Sequence, residues 1–264
     1  MIIDSQNIPA SRVYSRIISL VPSITELLYD LDLESEVLGI TKFCIYPGKW
    51  HRNKTRVGGT KNVNIKTIQL LQPDLIIANK EENVKEQVEE LAKGYDVLVT
   101  DVNNLQDALN MIKHIGTLVD RGNEASELCE NIQDKFKKLT SLLHLKRKFK
   151  TAYLIWQNPY MTIGGDTFIN DMMQYCWLDN IFLSEKRYPE ISIDELKERS
   201  CELIILSSEP YPFKEKHLQE LQLKIPDAKI ILADGEMFSW YGSRLLKAAK
   251  YFEQFYAKIV STAN

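Results

Sequence analysis

Two stretches of the chain concentrate side chains able to hold a small molecule. The first is Thr41-Lys-Phe-Cys-Ile-Tyr-Pro-Gly-Lys-Trp-His51, followed closely by Val57-Gly-Gly-Thr60. Aromatic rings in a loop at the end of a strand suit a flat ligand. Gly58-Gly59 lets a backbone approach closely, which makes Gly59 and Thr60 candidate contacts beside Tyr46. The pair is no nucleotide fingerprint, since neither G-x-G-x-x-G nor G-x-x-x-x-G-K-[ST] occurs. His51 reads as a solvated loop histidine, with ligation of a metal centre inside a cofactor as the alternative; no partner ligands stand at metal-site spacing. His114, His144 and His217 read as surface residues of helices.

The second stretch runs Trp156-Gln-Asn-Pro-Tyr-Met-Thr-Ile-Gly-Gly-Asp-Thr-Phe168, from strand through turn into helix. Gly164-Gly165 makes the turn, and Asp166 or Thr167 can cap the helix. Trp156, Tyr160, Tyr188 and Phe238-Ser-Trp-Tyr241 fall near strand ends beside Gly and Pro, as a pocket wall would. Near the start of the chain, Ser23-x-x-Glu26 reads as a capping box after Pro22. A helix starting there offers free N–H groups to a polar or anionic part of a ligand, and Ser23 joins the candidates. No catalytic constellation emerges: there is no G-x-S-x-G, no H-E-x-x-H and no cysteine with a His/Asn partner set. A cofactor-processing enzyme would have to draw on His51, Cys44 and Glu236, so no catalytic residue is assigned; a cytoplasmic protein that binds a partner instead of a small ligand is the other alternative.

The bulk composition narrows the classes. The 264 residues carry 33 Lys+Arg against 36 Asp+Glu, hence 33 − 36 = −3, with 44% hydrophobic and 26% charged residues. That is ordinary globular composition with no basic stripe, which argues against a nucleic-acid partner. The one basic run, Lys146-Arg147-Lys148 with Lys150, reads as the solvated end of a helix. Cys44, Cys129, Cys176 and Cys201 are far apart and predict buried free thiols in a reducing compartment. The first residues show neither a basic n-region nor a long apolar h-region, so the chain as given is expected in the cytoplasm.

The elements that position these residues show in an internal echo. Ile65-Lys-Thr-Ile-Gln-Leu-Leu-Gln-Pro-Asp-Leu-Ile-Ile77 aligns without gaps on Ile193-Asp-Glu-Leu-Lys-Glu-Arg-Ser-Cys-Glu-Leu-Ile-Ile205. Each copy predicts a short helix, an acidic residue (Asp74, Glu202) and a buried strand. Asp96–Asp101 echoes Lys229–Asp234, and strands at Arg16–Leu20 and Ala152–Trp156 open the two halves. Strands alternating with helices predict a mostly parallel sheet in each half. Between them, Ala125, Leu128, Ile132, Phe136, Leu139 and Leu143 recur at helical spacing, predicting one long helix over about 123–148. At about 1.5 Å per residue it spans some 35–40 Å, a stiff strut rather than a tether. The expected organisation is therefore an N-terminal α/β lobe (1–122), a linking helix (123–148) and a C-terminal α/β lobe (149–264), with a ligand held between the lobes.

Arg16-Ile-Ile-Ser-Leu-Val-Pro-Ser-Ile-Thr-Glu26, Cys44-Ile-Tyr-Pro47, Val57-Gly-Gly59, Pro73-Asp-Leu-Ile-Ile77, Trp156 to Phe168, Asn180-Ile-Phe182 and Asp234-Gly-Glu-Met-Phe-Ser239 occur in this order. Together they resemble the helical-backbone metal receptor superfamily, the substrate-binding proteins of vitamin B12 and ferric-siderophore ABC importers. The likeness covers about residues 15–255. It implies an α/β fold of two Rossmann-like lobes with mostly parallel sheets, joined by one long rigid helix, like a class III periplasmic binding protein. It also implies a monomer with no intrinsic cofactor, holding cobalamin or a heme- or siderophore-like metal chelate. In the cobalamin branch, aromatics matching Tyr46, Trp156 and Tyr188 line the ligand. Glu236 and Trp240 fall at ligand-facing positions with changed identities, and Thr60 replaces an aromatic residue. Transport members dock on permease arginines through one acidic residue per lobe; here those positions hold Lys66 and Asp194. A lysine facing arginine opposes docking at the first lobe. Cys176-Trp-Leu-Asp-Asn180 stands where the family has paired glycines, so that turn is built differently.

Overall fold

A computed structural model describes residues 1–3 and 12–261. The chain divides into two compact units. The first comprises Met1–Val102, Gln106–Ile132 and Tyr241–Arg244; the second comprises Asn103–Leu105, Gln133–Trp240 and Leu245–Asn264.

In the first unit the elements run β1 (Ile2–Ile3), β2 (Ile17–Ser19), α1 (Pro22–Asp30), β3 (Val37–Ile40), α2 (Gly48–Asn53), β4 (Thr55–Arg56), α3 (Ile65–Leu71), β5 (Leu75–Asn79), α4 (Lys85–Ala92) and β6 (Asp96–Thr100). Helices α5 (Leu105–Leu118) and α6 (Gly122–Leu143) follow. The strands form one sheet in the order β1-β6-β5-β2-β3-β4, every pair parallel. Such a sheet must be covered on both faces, and all five residues of β5 are buried accordingly. Ile18, Leu20, Val57, Ile68, Ile76 and Val97 pack together on one side of it.

The second unit contains β7 (Phe149–Leu154), β8 (Tyr160–Met161), α7 (Phe168–Tyr175), β9 (Leu178–Asn180), β10 (Glu190–Ile191), α8 (Ile193–Glu198), β11 (Leu203–Ser207), α9 (Glu215–Lys224), β12 (Lys229–Ala233), α10 (Gly235–Ser239) and α11 (Leu245–Ser261). Its main sheet, β12-β11-β7-β9, is again wholly parallel, and β8 and β10 pair antiparallel beside it in sequence. Ala152, Leu154, Ile204, Leu206 and Leu221 belong to one core cluster. Phe238, Phe252 and Phe255 build an aromatic core, with ring centroids 4.7 and 5.8 Å from Phe238. Phe238 is thus a core residue and not part of a pocket wall.

The echo has a structural counterpart: α3–β5 and α8–β11 occupy the same place in their own sheets. Its acidic residue has one task in both. The Asp74 carboxylate accepts from the Ser15 and Arg16 N–H groups at 3.0 and 2.8 Å, at the entry to β2. The Glu202 carboxylate accepts from Lys150 N–H at 2.9 Å, in β7, and pairs with Arg147. A carboxylate that accepts from strand N–H groups settles the entry of the first central strand.

Several expectations change in detail. The long helix ends at Leu143, 22 residues or about 33 Å in length. Its buried stripe holds Cys129 where Leu128 was expected, because 125, 129, 132, 136, 139 and 143 alternate by four and three residues. The boundary between the two units falls within this helix, after Ile132. The basic run lies beyond the helix and is held: Lys148 pairs with Asp179, the Arg147 guanidinium covers Phe149, and Lys150 is a residue of β7. Trp177 takes φ 63°, the left-handed conformation paired glycines would supply. Its indole N–H donates to Lys146 O at 2.8 Å and Lys148 lies over its ring, so side-chain bonds hold what glycine would permit.

Candidate functional site

In the first unit, the aromatic stretch splits into one buried and one exposed part. Trp50, on α2, is fully buried against Tyr29, with ring centroids 5.3 Å apart at 89°. Phe43, Ile45 and Tyr46 are exposed, Tyr46 by 40%. The α2 start at Gly48 follows Pro47 and leaves these three side chains on the connection before it. His51 is therefore a half-buried helical residue rather than a solvated loop one; its Nδ1 lies 3.2 Å from Cys44 O. Gly59 and Thr60 are buried, and Gly59 N–H donates to Asn62 O at 2.8 Å while Thr60 O accepts from Asn83 at 2.9 Å.

Ser23 is buried in the first turn of α1, but the capping box is absent. Val21 is the N-cap, because Pro22 supplies the first helical residue and needs no N–H partner. Glu26 turns instead to Arg244, whose Nε donates to its Oε2 at 2.7 Å. The two side chains are only 8% and 7% exposed. The same guanidinium lies over the Tyr46 ring, 4.7 Å from its centroid. Gly242, at φ 114°, turns the chain there, and an added Cβ would stand 3.3 Å from Ser23 O. Arg244 is the residue that sequence reasoning missed. Its one signal was a charged residue in the Gly-Ser-Arg stretch just before the apolar face of α11.

In the second unit, Trp156 follows β7 and is 41% exposed. Tyr188 is half-buried with the Arg187 guanidinium 5.5 Å from its ring centroid. Arg187 N–H donates to Asp166 Oδ1 at 2.6 Å, and its side chain reaches Asn103 at 3.2 Å. Thr167, not Asp166, caps α7 by accepting from Asn170 N–H at 3.2 Å. Tyr46 and Tyr188 thus each carry a guanidinium on a ring face, a cation–π contact that orients the ring. Glu236 is half-buried in α10. Trp240 is 7% exposed, and its indole N–H donates to Glu209 Oε1 at 3.1 Å, which also accepts from Ser239 at 2.5 Å. His217 is buried on α9 and is no surface residue.

Lys66 and Asp194 are the second residues of α3 and α8, both exposed. An aspartate in a first turn complements the helix dipole and a lysine opposes it, so the matched positions differ in sign.

All four cysteines are free, buried thiols. Cys44 Sγ lies within hydrogen-bond distance of the Thr25 and Thr41 hydroxyls, at 3.1 and 3.2 Å, yet burial still pushes its thiol up. Burial likewise pushes Cys129 and Cys201 from 9.0 to about 11. A thiol held protonated is a weak nucleophile. Native protein at about pH 8 is therefore expected to resist a disulfide-exchange reagent that titrates all four after unfolding. Because these values are raised in the folded chain, the thiols of the unfolded chain ionise first. Their contribution is complete below pH 9.0 and disappears as pH rises toward about 11. A urea midpoint that does not fall across that window, or one fast native thiol, would contradict the burial.

Among the described residues no group of three or more His, Cys, Asp or Glu is placed to hold a metal ion, and no helix is long and apolar enough to cross a membrane.

A model of the family described as periplasmic binding protein matches residues 17–225. The vitamin B12-binding protein of Pectobacterium atrosepticum is 25% identical over 253 residues, covering 91% of this chain and 88% of that one. Among solved structures, the periplasmic vitamin B12 binding protein of Vibrio cholerae superposes with a TM-score of 0.79 at 21% identity, over 94% of this chain and 98% of that one. A possible iron-binding, periplasmic solute-binding protein from Staphylococcus epidermidis gives 0.79 at 25% identity, over 92% and 98%.

Proposed function

The chain belongs to the periplasmic binding protein family, and from that premise we propose that it binds a corrinoid or a related metal chelate, one ligand per monomer, without transforming it. The observation that carries this reading is the pair of exposed aromatic side chains, Tyr46 and Trp156, at the ends of core elements. Each is set against a fixed neighbour, Arg244 and Tyr211 respectively. A large conjugated ligand gains from such rings because they lose little freedom on binding. Relatives named for vitamin B12 binding, and a similar structure named as possibly iron-binding, support the ligand class. Tyr188 extends the aromatic set, and Ser23, Gly59, Thr60, Glu236 and Trp240 are proposed to shape its surroundings. A nucleophilic role for Cys44 is disfavoured by its buried, protonated thiol.

Service to an ABC permease belongs to the same reading, with Asp194 offering a docking carboxylate and Lys66 opposing contact with arginine. That service would place the chain in the periplasm or at the cell surface, the family's usual place; a soluble carrier in the cytoplasm, where four free thiols would persist, is the alternative, and cell fractionation decides between them.

Titration with hydroxocobalamin, cyanocobalamin, hemin and ferric siderophores, read by calorimetry, tests the binding. One ligand is expected to bind one to one. Tyr46→Ala and Trp156→Ala are each expected to weaken it about 10- to 30-fold, the loss of one aromatic contact. No binding anywhere in the panel would remove the reading.

A further inference from the structure

An indole that is 41% exposed needs something to hold its orientation, and the second unit supplies a chain of hydrogen bonds that ends beside Trp156. The Trp156 ring meets the Tyr211 ring edge-on, with centroids 5.5 Å apart at 68°. Tyr211 is fixed in turn. Phe213 and His217 pack on its ring at 4.7 and 5.5 Å, and its N–H donates to Ile155 O at 3.3 Å.

The hydroxyl of Tyr211 is held from both sides. It donates to Gln157 Oε1 at 3.0 Å and lies 3.4 Å from His217 Nε2. His217 Nδ1 accepts from Lys214 N–H, at the start of α9, at 2.9 Å. A ring nitrogen that accepts from a backbone N–H carries no proton, so in the neutral imidazole the proton sits on Nε2. Nε2–H then points to the Tyr211 oxygen, and the tyrosine's own proton is free to go to Gln157. The Gln157 amide continues toward Tyr160 Oη at 3.5 Å. Every donor in the series points the same way, from the first turn of α9 to the residue following Trp156. The core does not demand this, since a phenylalanine at 211 would keep the ring contacts.

We propose that Tyr211, held by His217 and Gln157, is a positioning residue that fixes the Trp156 indole and thereby sets affinity for a flat-ringed metal chelate. The proposal rests on the binding reading above and deepens it.

The test has an arm that needs no ligand. The chain holds four tryptophans; labelled with 5-fluorotryptophan, they give fluorine resonances of which Trp156→Phe identifies one. Tyr211→Phe is expected to shift and broaden the Trp156 resonance while those of Trp50, Trp177 and Trp240 stay in place. His217→Glu provides an acceptor for Lys214 N–H but no proton for Tyr211, and is expected to move the same resonance. An unmoved Trp156 resonance in both variants overturns the proposal. In the second arm, Tyr211→Phe weakens hydroxocobalamin or hemin binding about five- to tenfold in the natural chain and not at all in a Trp156→Ala chain. Equal losses in both backgrounds would show that Tyr211 does not act through Trp156. A natural chain that binds neither ligand overturns the binding reading and the affinity claim with it, and the fluorine spectra still decide whether Tyr211 holds the indole.

Discussion

Arg244→Ala is expected to lower the free energy of unfolding by about 3–5 kcal/mol. Glu26 and Arg244 are 8% and 7% exposed and joined at 2.7 Å. Removing the cation takes from a carboxylate buried in α1 its charged partner at 2.7 Å, and breaking a buried pair from one side costs more than the pair contributes. Glu26→Gln keeps a hydrogen-bond acceptor and is expected to cost less. The double variant Glu26→Gln with Arg244→Ala is expected to recover part of the loss, since neither charge remains. Urea unfolding of the four proteins measures the cycle. Additive single effects would show that the pair is not coupled. Arg244 also lies over Tyr46, so Arg244→Met should release that ring and weaken ligand binding, by no more than the roughly 10- to 30-fold expected of Tyr46→Ala.

Gly165→Ala carries the second large effect. A Cβ there would stand 2.2 Å from Leu183 O and 3.1 Å from its carbonyl carbon, and at Gly164 2.4 Å from Glu185 O. These are backbone atoms, which cannot rotate away. They are also bonded in place: Gly164 N–H donates to Arg187 O at 2.7 Å and Gly165 N–H to Glu185 O at 3.0 Å. The alanine must push the 183–188 segment outward, at a cost of about 3 kcal/mol by analogy with overpacked cores. That segment carries Arg187 and Tyr188. The variant is expected to be cut by trypsin at Lys186 and Arg187 much faster than the natural chain, alongside a lower urea midpoint. Unchanged cutting and an unchanged midpoint would contradict the close approach.

The fold was legible because its signals are local and repeated. The α3–β5 and α8–β11 copies and the stripe on α6 each follow from periodicity within about twenty residues. The family resemblance extended this to the whole topology. The site was legible only in part. Tyr46 and Trp156 stood out as aromatics beside Pro and Gly. Glu26 did not, since Ser23-x-x-Glu26 matches a capping box that Pro22 displaces by setting the N-cap at Val21. Its true partner is 218 residues away, a separation no pattern in one sequence exposes. His217 shows the same limit: on α9 it looks like one more polar residue, and only packing against Tyr211 and Phe213 makes it buried.

The assignment of Tyr241–Arg244 to the first unit has a consequence for how this molecule can be taken apart. A gene fragment ending after Ile132 would encode every strand of the first sheet and still lack Arg244. The recombinant product would lack the Arg244 partner of the buried Glu26 carboxylate and should accumulate as insoluble or unfolded material. Adding a peptide that covers residues 241–244 in trans, or joining those residues through a short engineered loop, should rescue it. The halves echo each other in sequence, but they are not interchangeable modules, and exchange of one half between relatives must carry this four-residue segment with the first.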